Sequence, residues 1–292
     1  MKVLITGAKG QVGFELMHAV PEWVAVTGLG SKELDITDEA TVMAACRRVQ
    51  PDLIINAAAY TAVDKAESDQ DTAFAVNATG VDYLGKAAAE LDIPIFHIST
   101  DYVFDGMKDT PYLETDACNP QSVYGASKLA GEQALAQRTG RHIIMRTSWV
   151  FGHHGNNFVK TMLRLGSERD TLGVIDDQKG CPTSARSIAL TLWDMADCYK
   201  QEQSLPWGIY HFCNDTPSSW YEFACAIFDE AVLQGLLVKA PTVNPIPTEA
   251  YPLPAKRPRY AVMDVYKLMH AFCRNKVFWQ HELRDMMTSM EQ

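Results

Sequence analysis

The chain has 292 residues, of which 47% are hydrophobic and 21% charged, and its formal net charge is −10. That length and composition suit a globular enzyme of one large or two small domains, with ample chain for a core. The acidic balance opposes general attraction to nucleic acid or anionic membrane, so any anionic ligand must be held by a local cluster.

Lys2 to Thr6 is a short β-branched run that reads as a strand, and Gly7-Ala8-Lys9-Gly10-Gln11-Val12-Gly13 then leads into an amphipathic helix from Phe14 to Val20. Strand, glycine turn and helix in this order are what a dinucleotide-binding unit needs, although the Gly-x-x-Gly-x-x-Gly spacing departs from the commoner Gly-x-Gly-x-x-Gly. Gly7 permits the tight turn, Gly10 lets a pyrophosphate approach the backbone, and Gly13 allows close helix packing. A second strand, Val24 to Thr27, ends in Gly28-Leu29-Gly30-Ser31-Lys32. This turn has no carboxylate for a ribose 2′-hydroxyl. Small, hydroxylated and basic residues suit a 2′-phosphate instead, which favours NADPH while leaving NADH possible. Asp35-Ile36 is expected against the adenine, or Asp35 as the cap of a helix from Thr37 onward.

Pro51 to Asn56 reads as a third strand, followed by Ala57-Ala58-Ala59-Tyr60-Thr61, whose small side chains let backbone come close to a ligand. A long helical stretch from Glu67 to Leu91 and a strand from Ile93 to Ile98 come next. The alternation predicts an α/β fold with a doubly wound parallel sheet of Rossmann type, and ligands in such sheets lie beyond the strands' carboxyl ends. Ser99-Thr100-Asp101 stands at such an end. Tyr124 and Lys128 stand one turn apart on a helix face, where an ammonium beneath a phenol favours its ionised form. Glycine turn, hydroxyl pair and Tyr/Lys helix converge on one rim, and that coincidence outweighs any one motif.

The later chain supplies a helix opened by Asn156-Asn157-Phe158, a strand over Leu172 to Ile175, and a helix over Ser184 to Tyr199. A further main-sheet strand is expected over Gly208 to Phe212. An aromatic-rich helix spans Trp220 to Gln234, and terminal helices span Val265 to Phe272 and Trp279 to Met290. The proline-rich Pro241 to Pro258 run ends in Lys256-Arg257-Pro258-Arg259, a cationic cluster suited to a diphosphate. The seven cysteines include no Cys-x-x-Cys pair, and the single adjacent histidine pair, His153-His154, has no carboxylate or cysteine at ligand spacing. Reduced thiols, a cytoplasmic setting and no metal site are expected. No apolar run is long enough for a membrane span or for the core of a signal peptide.

The chain resembles the extended short-chain dehydrogenase/reductase family, and within it the dTDP-4-dehydrorhamnose reductases. The resemblance is carried by Gly7-x-x-Gly10-x-x-Gly13, Asn56-Ala57-Ala58-Ala59-Tyr60-Thr61-Ala62-Val63-Asp64, Ser99-Thr100-Asp101-Tyr102-Val103-Phe104 and Tyr124-Gly125-x-Ser127-Lys128. It continues through Arg146-Thr147-Ser148-Trp149, Gly155-Asn156-Asn157-Phe158, Asp177-Gln178-x-Gly180-x-Pro182-Thr183 and Arg257-Pro258. The resemblance implies that Tyr124 donates the proton, Lys128 supports it and binds the nicotinamide ribose, and Thr100 polarises the substrate carbonyl. It places Gly10, Gln11, Val12, Asp35, Ile36 and Ala59-Tyr60-Thr61 at the cofactor and Trp149 against the sugar. Asp101, Asn157 and Arg257 complete the expected substrate site.

Thr100-Asp101 is followed by Tyr102, where the related dehydratases carry a glutamate, which argues against dehydration. Some relatives dimerise through a magnesium ion held by glutamates of both chains. Glu15 is present here, but the region from Ser184 to Ile188 offers Arg186 and no carboxylate, so a monomer or a weak, cation-free dimer is expected. The expected division is a cofactor domain over 1–148 and 184–219, and a smaller substrate domain over 149–183 and 220–292. A reductase of another 4-keto nucleotide sugar, and a non-catalytic subunit like the regulatory subunit of methionine adenosyltransferase, are the alternatives.

Overall fold

The computed structural model describes residues 1–290. Its centre is a parallel six-stranded sheet built from β1 (Lys2–Thr6), β2 (Ala25–Leu29), β3 (Leu53–Asn56), β4 (Ile95–Thr100), β5 (His142–Thr147) and the strand Gly208–His211. The order across the sheet is β2-β1-β3-β4-β5 and then Gly208–His211 at the edge. Strands buried on both faces need continuous apolar runs, and all of Leu53-Ile54-Ile55-Asn56 is buried.

Alternating side chains divide the packing between two layers. Val3, Ile5 and Phe96 meet Leu16 of the Gln11–His18 helix and Ile188, Leu192 and Met195 of the Ala185–Glu202 helix. Leu4, Ile54 and Ile144 face the opposite way, toward Val42 of Glu39–Val49, Leu84 of Gly80–Glu90 and Leu135 of Val123–Arg138. The sheet therefore has helices on both faces. Its strand order reverses between β1 and β3, which opens a crevice at their carboxyl ends.

A second core lies beyond that crevice. Phe151, Val159, Met162, Leu172, Phe223, Ile227, Trp279 and Leu283 join the helices Phe158–Glu168, Trp220–Leu233 and Trp279–Thr288 to a short parallel strand pair, Thr171–Ile175 with Thr242–Ile246. The Tyr266–Ala271 helix instead returns to the sheet, where Leu268 is fully buried in the first core. Among the described residues, no helix is long and apolar enough to cross a membrane.

Several expected boundaries shift. The first helix starts at Gln11, because Gly10 is its N-cap. The helix after Asp35 is capped by Asp38, whose carboxylate accepts from Ala40 and Thr41 N–H at 2.9 and 3.3 Å. Asp35 instead accepts the N–H and hydroxyl of Thr37 at 2.9 and 2.7 Å. The proline-rich segment contains the Thr242–Ile246 strand, which accommodates Pro245 because its sheet has only two strands.

Candidate active site

The glycine turn after β1 is shaped by backbone. Gly7 has φ +67°, and a Cβ there would lie 2.4 Å from the Ala58 nitrogen. A Cβ on Gly13 would stand 2.1 Å from the Gly7 carbonyl oxygen, so the helix can sit this close to the turn only without a side chain at 13. Gly10 caps the helix with no side-chain hydrogen bond, which leaves the first helical N–H groups free to face an anion.

Two hollows follow the crevice. One of about 360 Å³ is lined by Gly7, Gly10, Ser31, Asp35, Ile36, Ala59 and Tyr60. The other, of about 470 Å³, is lined by Gln11, Val12, Thr61, Thr100, Asp101, Tyr124, Lys128 and Trp149. Gly10, Ala57 and Ala59 line both, so the two form one trough. Lys32 is exposed and lines neither hollow, and Gly13, buried in the helix, lines neither as well. Asn157 also stands behind the wall: its amide donates to Gln11 Oε1 at 3.1 Å and to the Gly152 carbonyl at 2.7 Å.

At the deep end, β4 delivers Thr100, whose hydroxyl donates to Asp101 Oδ1 at 3.0 Å and accepts from Tyr102 N–H at 3.2 Å. The Ser122 hydroxyl caps the facing helix by accepting from Gly125 N–H at 3.1 Å, and the first turns of that helix present Tyr124 and Lys128. Burial pushes the Tyr124 phenol up to about 12, with the Thr100 hydroxyl pulling the other way. Burial also brings the Lys128 ammonium down to about 8, opposed by Glu132. The Lys128 nitrogen donates to the Ile98 carbonyl at 2.7 Å, and among the described residues no hydrogen bond joins it to Tyr124. Desolvation thus outweighs the expected ammonium effect, and the phenol retains its proton.

Asp101 is 2% exposed, its Oδ2 has no partner among the described residues, and burial pushes its carboxyl up to about 7. Behind Thr100, Arg146 of β5 holds Glu132 through a buried ion pair of 2.6 Å, and the Ser99 hydroxyl donates to the same carboxylate. Trp149 has φ +47°, an uncommon conformation for a bulky residue. Its ring is pinned between Trp220, stacked at 3.5 Å, and Gly180, where a Cβ would come within 2.5 Å of the indole.

Beyond Trp220 lies a third hollow of about 500 Å³, lined by Phe158, Met162, Leu172 and Ile246 with Arg169 and Arg257. Arg257 is not a free cation: its guanidinium grips Asp64 at 3.0 and 2.7 Å across the crevice. Sequence reasoning missed the partners Asp64, Glu132 and Trp220, and also buried His97. Asp64 and Arg257 are separated by 193 positions, so no local pattern announces the pair.

A family described as the RmlD substrate binding domain matches residues 1–292. The chain belongs to this family. It is similar to dTDP-4-dehydrorhamnose reductase of Aggregatibacter actinomycetemcomitans, at 46% identity over 98% of each chain. The corresponding reductase of Salmonella typhimurium is 41% identical over 99% of this chain and 98% of its own. Among solved structures, a dTDP-4-dehydrorhamnose reductase from Clostridium acetobutylicum superposes with a TM-score of 0.92 at 38% identity, covering 100% of both chains. One from Bacillus anthracis, in complex with NADP, gives 0.91 at 35% identity over 99% of each. Membership in the RmlD family thus extends over the sheet and the second core alike.

Proposed function

We propose that the protein reduces the C4 ketone of dTDP-4-dehydrorhamnose with NADPH, giving dTDP-L-rhamnose, and that NADH is a possible substitute. The observation that carries this reading is the meeting of Thr100, Tyr124 and Lys128 in a hollow continuous with the glycine-turn trough. The trough suits a dinucleotide: its free helical N–H groups and the Cβ-free approach at Gly7 make a cradle for a pyrophosphate. Asp35 and Ile36 face the adenine end, Ser31 stands near the 2′-phosphate, and Ala59, Tyr60 and Thr61 line the wall. The NADP complex of the Bacillus anthracis relative and the names of the curated relatives support the choice of cofactor and substrate.

A bound reduced nicotinamide supplies the hydride that reaches C4. Thr100 and Tyr124 hold the carbonyl oxygen, and Tyr124 passes it the phenolic proton, converting ketone to alcohol. With the phenol pushed up to about 12, Tyr124 carries that proton throughout the neutral range. Lys128 stands against the nicotinamide ribose and supplies positive charge as the tyrosinate forms. Trp149 forms the wall against the sugar, Asp101 hydrogen-bonds it, and Asn157 supports Gln11. The third hollow receives the nucleotide, with Arg257 and Arg169 beside its diphosphate.

Two cores support a division into 1–148 with 184–219 and 149–183 with 220–292, although Leu268 and Phe272 pack in the first core and Met263 packs with Phe104 and Tyr112. Glu15 is buried near Gly152 and Arg186 is exposed, which supports a monomer or a weak dimer over a metal-bridged one. All seven cysteines are free, in keeping with a cytoplasmic enzyme.

Mixing protein, NADPH and the 4-keto sugar nucleotide should consume NADPH stoichiometrically with product. Tyr124→Phe should lower kcat by roughly 10²- to 10⁴-fold while still binding NADPH. Tight NADPH binding without consumption by the unaltered protein would overturn the proposal in favour of a regulatory subunit.

A further inference from the structure

Behind the Tyr124/Lys128 pair runs a buried file of polar side chains, Thr6, Asn56, His97 and Lys128, each no more than 1% exposed. Asn56 and His97 are register partners on β3 and β4. Asn56 Oδ1 takes the Thr6 hydroxyl at 2.6 Å and the Ala58 N–H at 3.0 Å. Its amide nitrogen lies 2.9 Å from His97 Nδ1, and His97 Nε2 lies 3.4 Å from Lys128 Nζ.

These contacts fix the direction of every proton in the file. A backbone N–H can only donate, so Ala58 fixes the Asn56 oxygen and turns the amide NH₂ toward His97. His97 Nδ1 must then accept. A neutral imidazole carries a single N–H, which is left on Nε2, pointing at Lys128. Moving the ring proton to Nδ1 would set it against the Asn56 amide, and turning the amide over would set its NH₂ against Ala58. An ammonium has no lone pair, so the His97–Lys128 contact becomes a hydrogen bond only when Lys128 is an amine.

We propose that His97 is a positioning residue that donates Nε2–H to the Lys128 nitrogen whenever that nitrogen is an amine, and so eases loss of the proton from the Lys128 ammonium. The inference rests on the reading of Lys128 as part of the reacting pair. Around this contact, Tyr124 and Glu132 lie on the lysine's own helix, Asp101 follows the end of β4, and His142 of β5 disfavours charge on His97. Glu132 favours the charged lysine, but part of its charge is committed to Arg146. Burial acts in the same sense as His97: it holds the imidazole neutral and brings the lysine down to about 8.

Histidine ¹⁵N spectra of the unaltered protein test the tautomer without reference to turnover. His97, identified by the signal lost in His97→Asn or His97→Gln, should show Nε2–H and a bare Nδ1 across about pH 6 to 9. An Nδ1–H ring, or one that titrates in this range, would overturn the proposal. The pH profile of kcat/KM gives a second reading. An asparagine at 97 keeps an acceptor for Asn56 and removes the donor facing Lys128, so the alkaline limb should move up by about half a pH unit or more. A longer glutamine, which can again present an N–H to the lysine, should restore most of the original position. An unmoved limb in a folded His97→Asn protein would also overturn the proposal. Failure of NADPH consumption with the expected tautomer intact would count against the proposed reaction and leave the His97 assignment standing.

Discussion

Along the trough, the ligand-facing surface consists largely of backbone and small side chains. Gly7, Gly10, Ala57 and Ala59 sit where strands end and a helix begins, and their positions follow from a sheet buried on both faces. Around the hollow under Trp220 the surface is made instead of long side chains: Phe158 packs against Trp220, Arg257 is held by distant Asp64, and Arg169 lines the same wall. The first region owes its shape to regular structure and the second to tertiary pairs. Damage to the first should therefore spread into stability, whereas damage to the second should stay within binding.

The sharpest way to break this contrast is Gly13→Ala. Its methyl group would stand 2.1 Å from the Gly7 carbonyl oxygen, with backbone on the other side of the contact. We expect a loss of about 3 kcal/mol in denaturant unfolding, together with weakened NADPH binding. Asp101→Asn tests the junction of the two regions. The folded carboxyl at about 7 lies above its ordinary 3.8, so between these values the folded form holds a proton that the unfolded form has released. The contribution of Asp101 to stability is complete below the ordinary range and is lost as pH rises through about 7. Asp101→Asn should raise stability by roughly 1 to 3 kcal/mol at about pH 8, with little effect near pH 4. Parallel unfolding curves at the two pH values check this. The smallest effect on the fold belongs to Arg257→Ala. KM for the sugar nucleotide should rise by roughly tenfold, or about 1.4 kcal/mol, with little change in kcat or in melting temperature.

The same contrast governs what could be read from the residues. The glycine turn, the Thr100 strand end and the Tyr124/Lys128 helix are local patterns, and the structure gathers them at one crevice. The Trp149–Trp220 stack and the Asp64–Arg257 pair join distant segments, so Arg257 reads in isolation as a free cation awaiting a diphosphate. β5 passes without a strand reading of its own because its apolar run is only Ile143-Ile144-Met145, followed by Arg146 and Thr147, which are nonetheless buried in the fold. Protonation is less legible still. The spacing of Tyr124 and Lys128 suggests an ionised phenol, whereas burial, a property of the assembled neighbours, holds it neutral.

The edge strand Gly208–His211 bears on how the protein is made. It pairs in parallel with β5, but the chain between them builds Phe158–Glu168, Thr171–Ile175 and the whole Ala185–Glu202 helix first. A nascent chain emerging from the ribosome therefore holds β5 as an open edge until residue 208 is available. The closing strand is short and its partner is distant in sequence, which places its docking late and makes it slow. A chain arrested before that strand would carry nearly all of the trough and an uncovered β-edge, a combination suited to capture by a chaperone or by another unfinished copy.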